Sequence, residues 1–264
     1  MAIEADRGYI IPAVNTATVD YVSCACRLAE SIRAWHADAE ICLLTDNPVN
    51  EKDLFDYVTP LPLGDRAPNS EWKLINDWQV SKASPFRQTI KLEADMLITS
   101  PIDHWWNMMQ HRDVVVSTGA RTWKNQSAKS RRYRQVFDQN NLPDVYNAVT
   151  YWRVSETAVE FWKWVRRVFE KWDQYRTLLR FPPVEPDTDL VYAIVAIIMG
   201  PERITMPFAS YPTIVHMKRH HAGTQTENWP AELVWEWDRK HLRINTVYQQ
   251  GAFHYNCKEW NPNE

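Results

Sequence analysis

Glycine is scarce in this chain, at 6 of 264 residues, and neither GxGxxG nor a GxxxxGKS or GxxxxGKT pattern occurs. A glycine-rich phosphate cradle is thereby excluded, and a nucleotide would have to be held by other means. Cysteine is sparse too. Cys24, Cys26, Cys42 and Cys257 show neither CxxC spacing nor the density of a disulfide framework, so reduced, mostly buried thiols are expected, in keeping with a cytoplasmic protein. A dominant charge is also missing. The formal net charge of -3 and pI near 6.3 exclude a uniformly basic nucleic-acid binder and require any polyanion site to be local. No run approaches the ~18 apolar residues of a membrane span, and the start, MAIEADRGYIIPAV, lacks a basic segment followed by a long apolar core. A soluble protein with no membrane partner is expected, its oligomeric state left open. Without an internal repeat, low-complexity tract or linker, a single domain over residues 1–264 is the simplest organisation.

What is present points to a sizeable core, since 45% of residues are hydrophobic. A strand over Tyr9 to Asn15, a helix over Thr18 to His36 and a strand over Glu40 to Asp46 form an alternation typical of parallel β-structure with crossover helices. The helix has an apolar face at Val22, Ala25, Cys26, Ala29, Ile32 and Trp35. A weak strand at Tyr57 to Leu63 follows, then a helix near SEWKLINDWQVSKAS, a strand leading to Glu93, and strands over Asp113 to Gly119 and Tyr146 to Val154. Ser155 caps a long helix running to about Tyr175, with Val159, Trp162, Val165, Val168, Phe169 and Trp172 as its buried stripe. Asp187 to Gly200 reads as a helix apolar all round and therefore buried; the tail holds TIVHMKRHH and the β-like INTVYQQGAFHYN. Tryptophan is abundant at 14 residues. Each of Trp105, Trp106, Trp152, Trp229, Trp235, Trp237 and Trp260 suits core packing first and a sugar-stacking platform second.

Glu93 and Asp95 stand two apart where an apolar strand should end, in RQTIKLEADMLITSPIDHWW. Burying ionised carboxylates is unfavourable unless they are paired, hydrogen-bonded or bound to a metal. On a strand both would share one face, and a turn would still cluster them. Such a pair suits a hard divalent cation, Mg²⁺ or Mn²⁺, which would offset the burial and neutralise a leaving diphosphate. The plain alternative is a solvated strand end.

In order along the chain, IIPAVN, ICLLTD, FRQTIKLEADMLI, YNAVTYWR, PDTD and IVHMK resemble the motifs of the GT-A superfamily of nucleotide-sugar glycosyltransferases, nearest its glycogenin-like and galactosyltransferase-like branch. EAD stands where that superfamily has D-x-D, and the GxxKPW that often follows the late histidine is replaced after His216 by MKRHHAG. The resemblance covers roughly residues 9 to 220 and implies an α/β fold with a mixed, mainly parallel central sheet. It implies a donor-binding part over about residues 1–110 and an acceptor-side part over about 111–264. Carried over residue by residue, it implies that Asp95 binds the metal, that Glu93 contacts the ribose or the metal, and that His216 completes the metal shell. Asn15 and Asp46 would hold base and ribose, Arg87 would reach the diphosphate or sugar, and Asn147 would face the acceptor. Asp187 and Asp189 would lie by the transferred sugar as catalytic carboxylates, with Asp187 alternatively capping the helix behind it. The implied donor is a nucleotide sugar, with UDP favoured, and the stereochemical course leans towards retention.

One segment concentrates positive charge. No acid occurs between Asp113 and Asp138, whereas Arg121, Lys124, Lys129, Arg131, Arg132 and Arg134 cluster there with Trp123 and Tyr133. A second basic group, Lys218 to His221, follows His216. Such a run is a solvated face, a cover for the donor diphosphate, or a site for an acceptor bearing phosphates, with Arg121, Lys124, Arg131, Arg132, Arg134 and Asn147 as its contacts. In loop composition and architecture the chain is similar to phage-encoded DNA glycosyltransferases, which implies a hydroxymethylated DNA base as acceptor, flipped from its stack, and the host cytoplasm as location. Two rival functions remain: the same chemistry on a carbohydrate, lipid-linked or protein acceptor, and a non-catalytic nucleic-acid-binding protein whose acidic pair is structural.

Overall fold

Short β-branched runs separated by amphipathic helices give a seven-stranded sheet and two small three-stranded sheets. The computed structural model describes residues 3–68, 70, 73–128, 134–181, 185–207 and 213–264. The strands are β1 (Ala5–Pro12), β2 (Ile41–Leu44), β3 (Tyr57–Thr59), β4 (Phe86–Leu92), β5 (Met96–Ile98), β6 (Val114–Thr118), β7 (Val145–Arg153), β8 (Thr205–Pro207), β9 (Ile214–His216), β10 (Trp235–Trp237), β11 (Leu242–Ile244), β12 (Val247–Tyr248) and β13 (Ala252–His254). The large sheet has the order β3-β2-β1-β4-β7-β6-β8. β1 runs parallel to β2 and β4, while β7 runs antiparallel to both β4 and β6. The expected α/β fold with a mixed, mainly parallel sheet is what forms. In such a sheet the strand order reverses beside β1, and ligands sit beyond the carboxyl ends of the strands there.

Each face of the sheet carries its own core. On one side the helix Tyr21–Trp35, capped by Asp20 whose side chain accepts from Ser23 N at 3.1 Å, lays Val22, Ala25, Ala29 and Ile32 against Ile11, Leu43 and Ile90. Ser31 on that helix accepts from Ile98 N at 2.9 Å, which ties it to β5. On the other side the helices Glu156–Glu170 and Thr188–Met199 cover Ile10, Leu44, Val116 and Trp152.

Several expectations are corrected. Val159 is 70% exposed. At 100° per residue it points about 120° away from the stripe formed by Phe161, Trp162, Val165, Val168 and Phe169. The long helix breaks at Lys171 and restarts as Trp172–Leu178. The Thr188–Met199 helix is buried through Ala196 but leaves Ile197 and Ile198 at 49% and 39% exposure, so it is not apolar-covered all round. Lys73–Gln79 is a 3₁₀ helix, followed by a single α-turn at Val80–Ala83. Its Asn76 and Gln79 are turned inward to serve the neighbouring loop, accepting from Arg66 N at 2.8 Å and Leu63 N at 2.9 Å. Trp105, Trp106, Trp152, Trp229 and Trp260 are core residues, and Trp235 and Trp237 are half-buried. No helix among the described residues is long and apolar enough to cross a membrane.

Candidate active site

β4 ends at Leu92, and Glu93-Ala94-Asp95 turns the chain into β5, so the carboxylates sit on a reversal at the carboxyl end of the sheet. β5 pairs antiparallel with β13, and β13 parallel with β9. That small sheet sets His254 opposite Met96 on one side and His216 on the other. Asp95 is 4% exposed, and its Oδ2 lies 2.7 Å from His254 Nε2. Lys258 Nζ donates to the same oxygen. Glu93 Oε2 lies 3.5 Å from His254 Nδ1. Ligand atoms of Glu93, Asp95 and His254 all fall within 4.8 Å of one another. Two carboxylates and an imidazole this close are a donor set suited to Mn²⁺ or Mg²⁺. Burial of Asp95 beside the half-buried Glu93 makes a cation favourable there, since the neighbouring ammonium balances only one of the two charges.

The third group of this cluster is His254. His216, expected in that place, stands behind it with Nδ1 at 3.1 Å from His254 Nδ1. Parallel pairing of β9 with β13 puts His216 one strand further from the acidic turn. Burial lowers the pKa of both rings, and His216 lies well below the ordinary value with help from His254 and Lys218. Burial also brings Lys258 down to about 8, against the pull of Glu93. The signal for His254 was legible. Four residues beyond it stands Lys258-Glu259-Trp260, which keeps the lysine and tryptophan of the GxxKPW pattern that does not follow His216.

These groups line one side of a cavity of about 340 Å³. Pro12, Val14, Tyr21 and Leu61 give it apolar lining, and Asn147, Asp187, Asp189 and Lys218 line it as well. Asp187 caps the helix Thr188–Met199, accepting from Asp189 N at 2.7 Å. Burial, and then the neighbouring Asp189 charge, raise its pKa. Asp189 is already engaged. Its Oδ1 accepts from Asn147 N at 2.7 Å and its Oδ2 from Arg134 at 3.1 Å, so both oxygens tie the lining of the cavity together. Beneath the floor, Lys91 Nζ donates to Asp77 Oδ1 at 2.6 Å and Tyr192 donates its hydroxyl to Asp77 Oδ2.

Other expected residues are placed elsewhere. Arg87 opens β4, six residues and about 20 Å of strand before Glu93, and pairs with Asp6 at the surface. It therefore does not reach the cavity. Asn15 and Asp46 do lie beyond the ends of β1 and β2, but their side chains accept from Val22 N at 3.0 Å and Leu61 N at 2.8 Å, and neither lines the cavity. Arg134 is no acceptor contact: it is 2% exposed, pairs with Asp144 and Asp189, and lies between the rings of Phe137 and Tyr146 at 3.9 and 4.1 Å. Trp123 is buried with its indole N–H on Ala222 O. Arg121 and Lys124 remain on a short hairpin whose backbone pairs with β9, through His216 N to Arg121 O at 2.9 Å. Lys129, Arg131, Arg132 and Tyr133 lie outside the described residues.

No protein-family model matches the sequence, and no curated protein does. Solved structures match the fold. An active-site mutant of LgtC superposes with a TM-score of 0.54 at 12% identity, over 94% of this chain and 86% of that one. Mouse xyloside xylosyltransferase 1, in its apo form, gives 0.54 at 11% identity, over 97% of this chain and 100% of that one. The galactosyltransferase LgtC with donor and acceptor sugar analogues matches over 71% of this chain and 70% of that one, at 12% identity and a TM-score of 0.47. At these identities the likeness is one of fold, and the fold is GT-A.

Proposed function

We propose that this protein is a glycosyltransferase that moves a sugar from a nucleoside diphosphate sugar to an acceptor hydroxyl, with Mn²⁺ or Mg²⁺ held by Glu93, Asp95 and His254. The observation that carries this reading is the carboxylate–imidazole cluster at the carboxyl end of β4, on the wall of a 340 Å³ cavity in a GT-A fold. A bound divalent cation supplies positive charge against the leaving diphosphate. The chain's own residues do the rest. Lys258 stands beside Asp95 as a second positive group for the diphosphate, and the apolar lining at Val14, Tyr21 and Leu61 accommodates a base, for which we favour uracil. Asp187, raised in pKa and lining the cavity, is the carboxylate available to orient sugar hydroxyls, and Asn147 lines the same cavity. The course is proposed to be retaining.

For the acceptor, the proposal is a hydroxymethylated base of DNA, acted on in the cytoplasm of a phage-infected host. What favours it is the hydrogen bond from His216 N to Arg121 O, since the hairpin carrying Arg121 and Lys124 is thereby attached to a strand of the cavity wall. Reversing both charges should lower DNA affinity and flatten its salt dependence by one to two phosphate contacts, a slope change of about 1–2. An unchanged slope with turnover intact would shift the acceptor to a carbohydrate, lipid-linked or protein hydroxyl.

Calorimetry of UDP, GDP and their sugars with and without Mn²⁺, on wild type and Asp95→Ala, tests the donor site. Metal-dependent binding confined to the wild type is expected. No nucleotide binding under any condition would overturn the reading and leave the acidic pair a structural feature.

A further inference from the structure

His216 and His254 occupy paired positions on β9 and β13. Their Nδ1 atoms are 3.1 Å apart, and the rings meet at 70° with centroids 4.7 Å apart. Tyr146 and His221 pack against the His216 ring, with centroids at 5.5 and 5.8 Å, and hold it in place. So short a contact between two ring nitrogens needs one proton: two N–H groups would clash, and two lone pairs would repel. The hydrogen bond can therefore run in either of two directions. In one, His216 Nδ1–H donates to His254, and His254 keeps its own proton on Nε2, which Asp95 Oδ2 accepts at 2.7 Å. In the other, His254 Nδ1–H donates to His216, and His254 Nε2 carries a lone pair. Only the second leaves Nε2 able to ligate a cation shared with Asp95.

We propose that His216 is the positioning residue of the metal centre: it accepts the Nδ1 proton of His254 whenever His254 Nε2 serves a divalent cation, and the two rings change tautomer together. This inference rests on the function proposed above. The protons balance. His254 moves its proton from Nε2 to Nδ1, His216 moves its proton from Nδ1 to Nε2, and the pair neither gains nor loses charge. An imidazole suits this post better than the usual partners of a metal-bound histidine. A carboxylate would add a third negative charge, and a backbone carbonyl would fix one tautomer for good. The change is also felt at the cavity. His216 lines it, and its buried Nε2 has no hydrogen-bond partner among the described residues. That atom is an acceptor in the metal-free protein and a donor in the loaded one, so metal occupancy resets the hydrogen bond that this wall offers a ligand.

The test is long-range ¹H–¹⁵N NMR of the histidines in wild-type protein, with and without diamagnetic Mg²⁺, beside Mn²⁺ affinities of His216→Phe and His216→Asn. Without metal, His254 should carry Nε2–H and His216 Nδ1–H. Saturating Mg²⁺ should exchange both tautomers without proton release to the buffer. His216→Phe should weaken Mn²⁺ binding about 10-fold or more, and His216→Asn, with an oxygen acceptor near the Nδ1 position, should recover most of it. Mg²⁺ binding that leaves the His216 tautomer unchanged overturns the inference while the proposed function stands, as does wild-type Mn²⁺ affinity in a folded His216→Phe. Should His216→Phe not fold, the wild-type spectra and His216→Asn decide. A wild type that binds neither metal overturns the function and this inference with it.

Discussion

Asp189 accepts a hydrogen bond from the backbone N–H of Asn147 at 2.7 Å, joining the first turn of the helix Thr188–Met199 to β7 across 42 positions of chain. With its other oxygen on Arg134, this carboxylate fastens two sides of the cavity wall and neutralises a buried guanidinium. The sequence pairs it with Asp187 as a possible catalytic group; the structure gives it a load of its own.

Asp189→Ala should therefore lower stability by about 3 kcal/mol, because Arg134 loses one of its carboxylate partners and the Asn147 N–H loses its acceptor. Asp189→Asn, which retains an acceptor for that N–H, should cost about half as much. Urea denaturation measures both. Full stability in Asp189→Ala together with abolished turnover would restore a catalytic role.

Gly251 governs the arrival of β13, and with it His254, at the acidic turn. It adopts φ +73°, and a Cβ there would lie 2.2 Å from Thr213 O, on backbone already bonded to Ala252 N. Gly251→Ala should cost about 3 kcal/mol from the left-handed conformation and the backbone clash together. Because the clash displaces the β9–β13 pairing, Mn²⁺ affinity should fall with stability. Calorimetry beside thermal unfolding shows whether the two losses travel together; a Gly251→Ala protein with both properties of wild type would refute this account.

Lys91, Asp77 and Tyr192 place an ion pair under the cavity floor, with Lys91 fully buried and 5.2 Å from the Tyr192 ring centre. Removing one charge leaves the other unpaired, so Lys91→Met should destabilise by about 3–5 kcal/mol. Lys91→Met with Asp77→Leu should recover more than half of that, despite the hydroxyl of Tyr192 losing its acceptor. Chemical denaturation of the two variants against wild type provides the comparison, and a double variant no better than the single would show that the charges are not the cause.

Most of the framework was legible because its signals are local. The apolar runs of β1, β2, β4, β6 and β7, and the caps Ser155 and Asp187, lie within a few residues of what they determine. Glu93 and Asp95 were legible for the same reason. His254 depends on a pairing of β13 with β5 that spans more than 150 positions, and its one local mark is the Lys258 and Trp260 that follow it. Arg87 and Arg134 mark the opposite failure. Each looks available in sequence, yet Asp6 and Asp189, distant along the chain, and Asp144 across an intervening helix have already claimed them. Val159 and Ile197 show that an apolar residue near a buried stripe need not belong to it.

His221 makes the wall of this site sensitive to acid. It is 6% exposed, and burial, then the charges of Lys218 and Arg134, bring its pKa from 6.5 down to about 4. A histidine depressed in the fold makes the protein less stable in acid, because below its free pKa the unfolded chain binds a proton that the native state refuses. Its contribution is fully present above pH 6.5 and is lost as pH falls towards 4. The loss from this residue should reach about 3 kcal/mol, at 1.36 kcal/mol per pKa unit. His216 and His254, lowered in the same direction, add to it. In His221→Phe the unfolding free energy should therefore fall less steeply over that window than in wild type. Denaturant titrations at a series of pH values give both curves directly, and parallel slopes would mean that His221 titrates as freely in the native protein as in the unfolded chain.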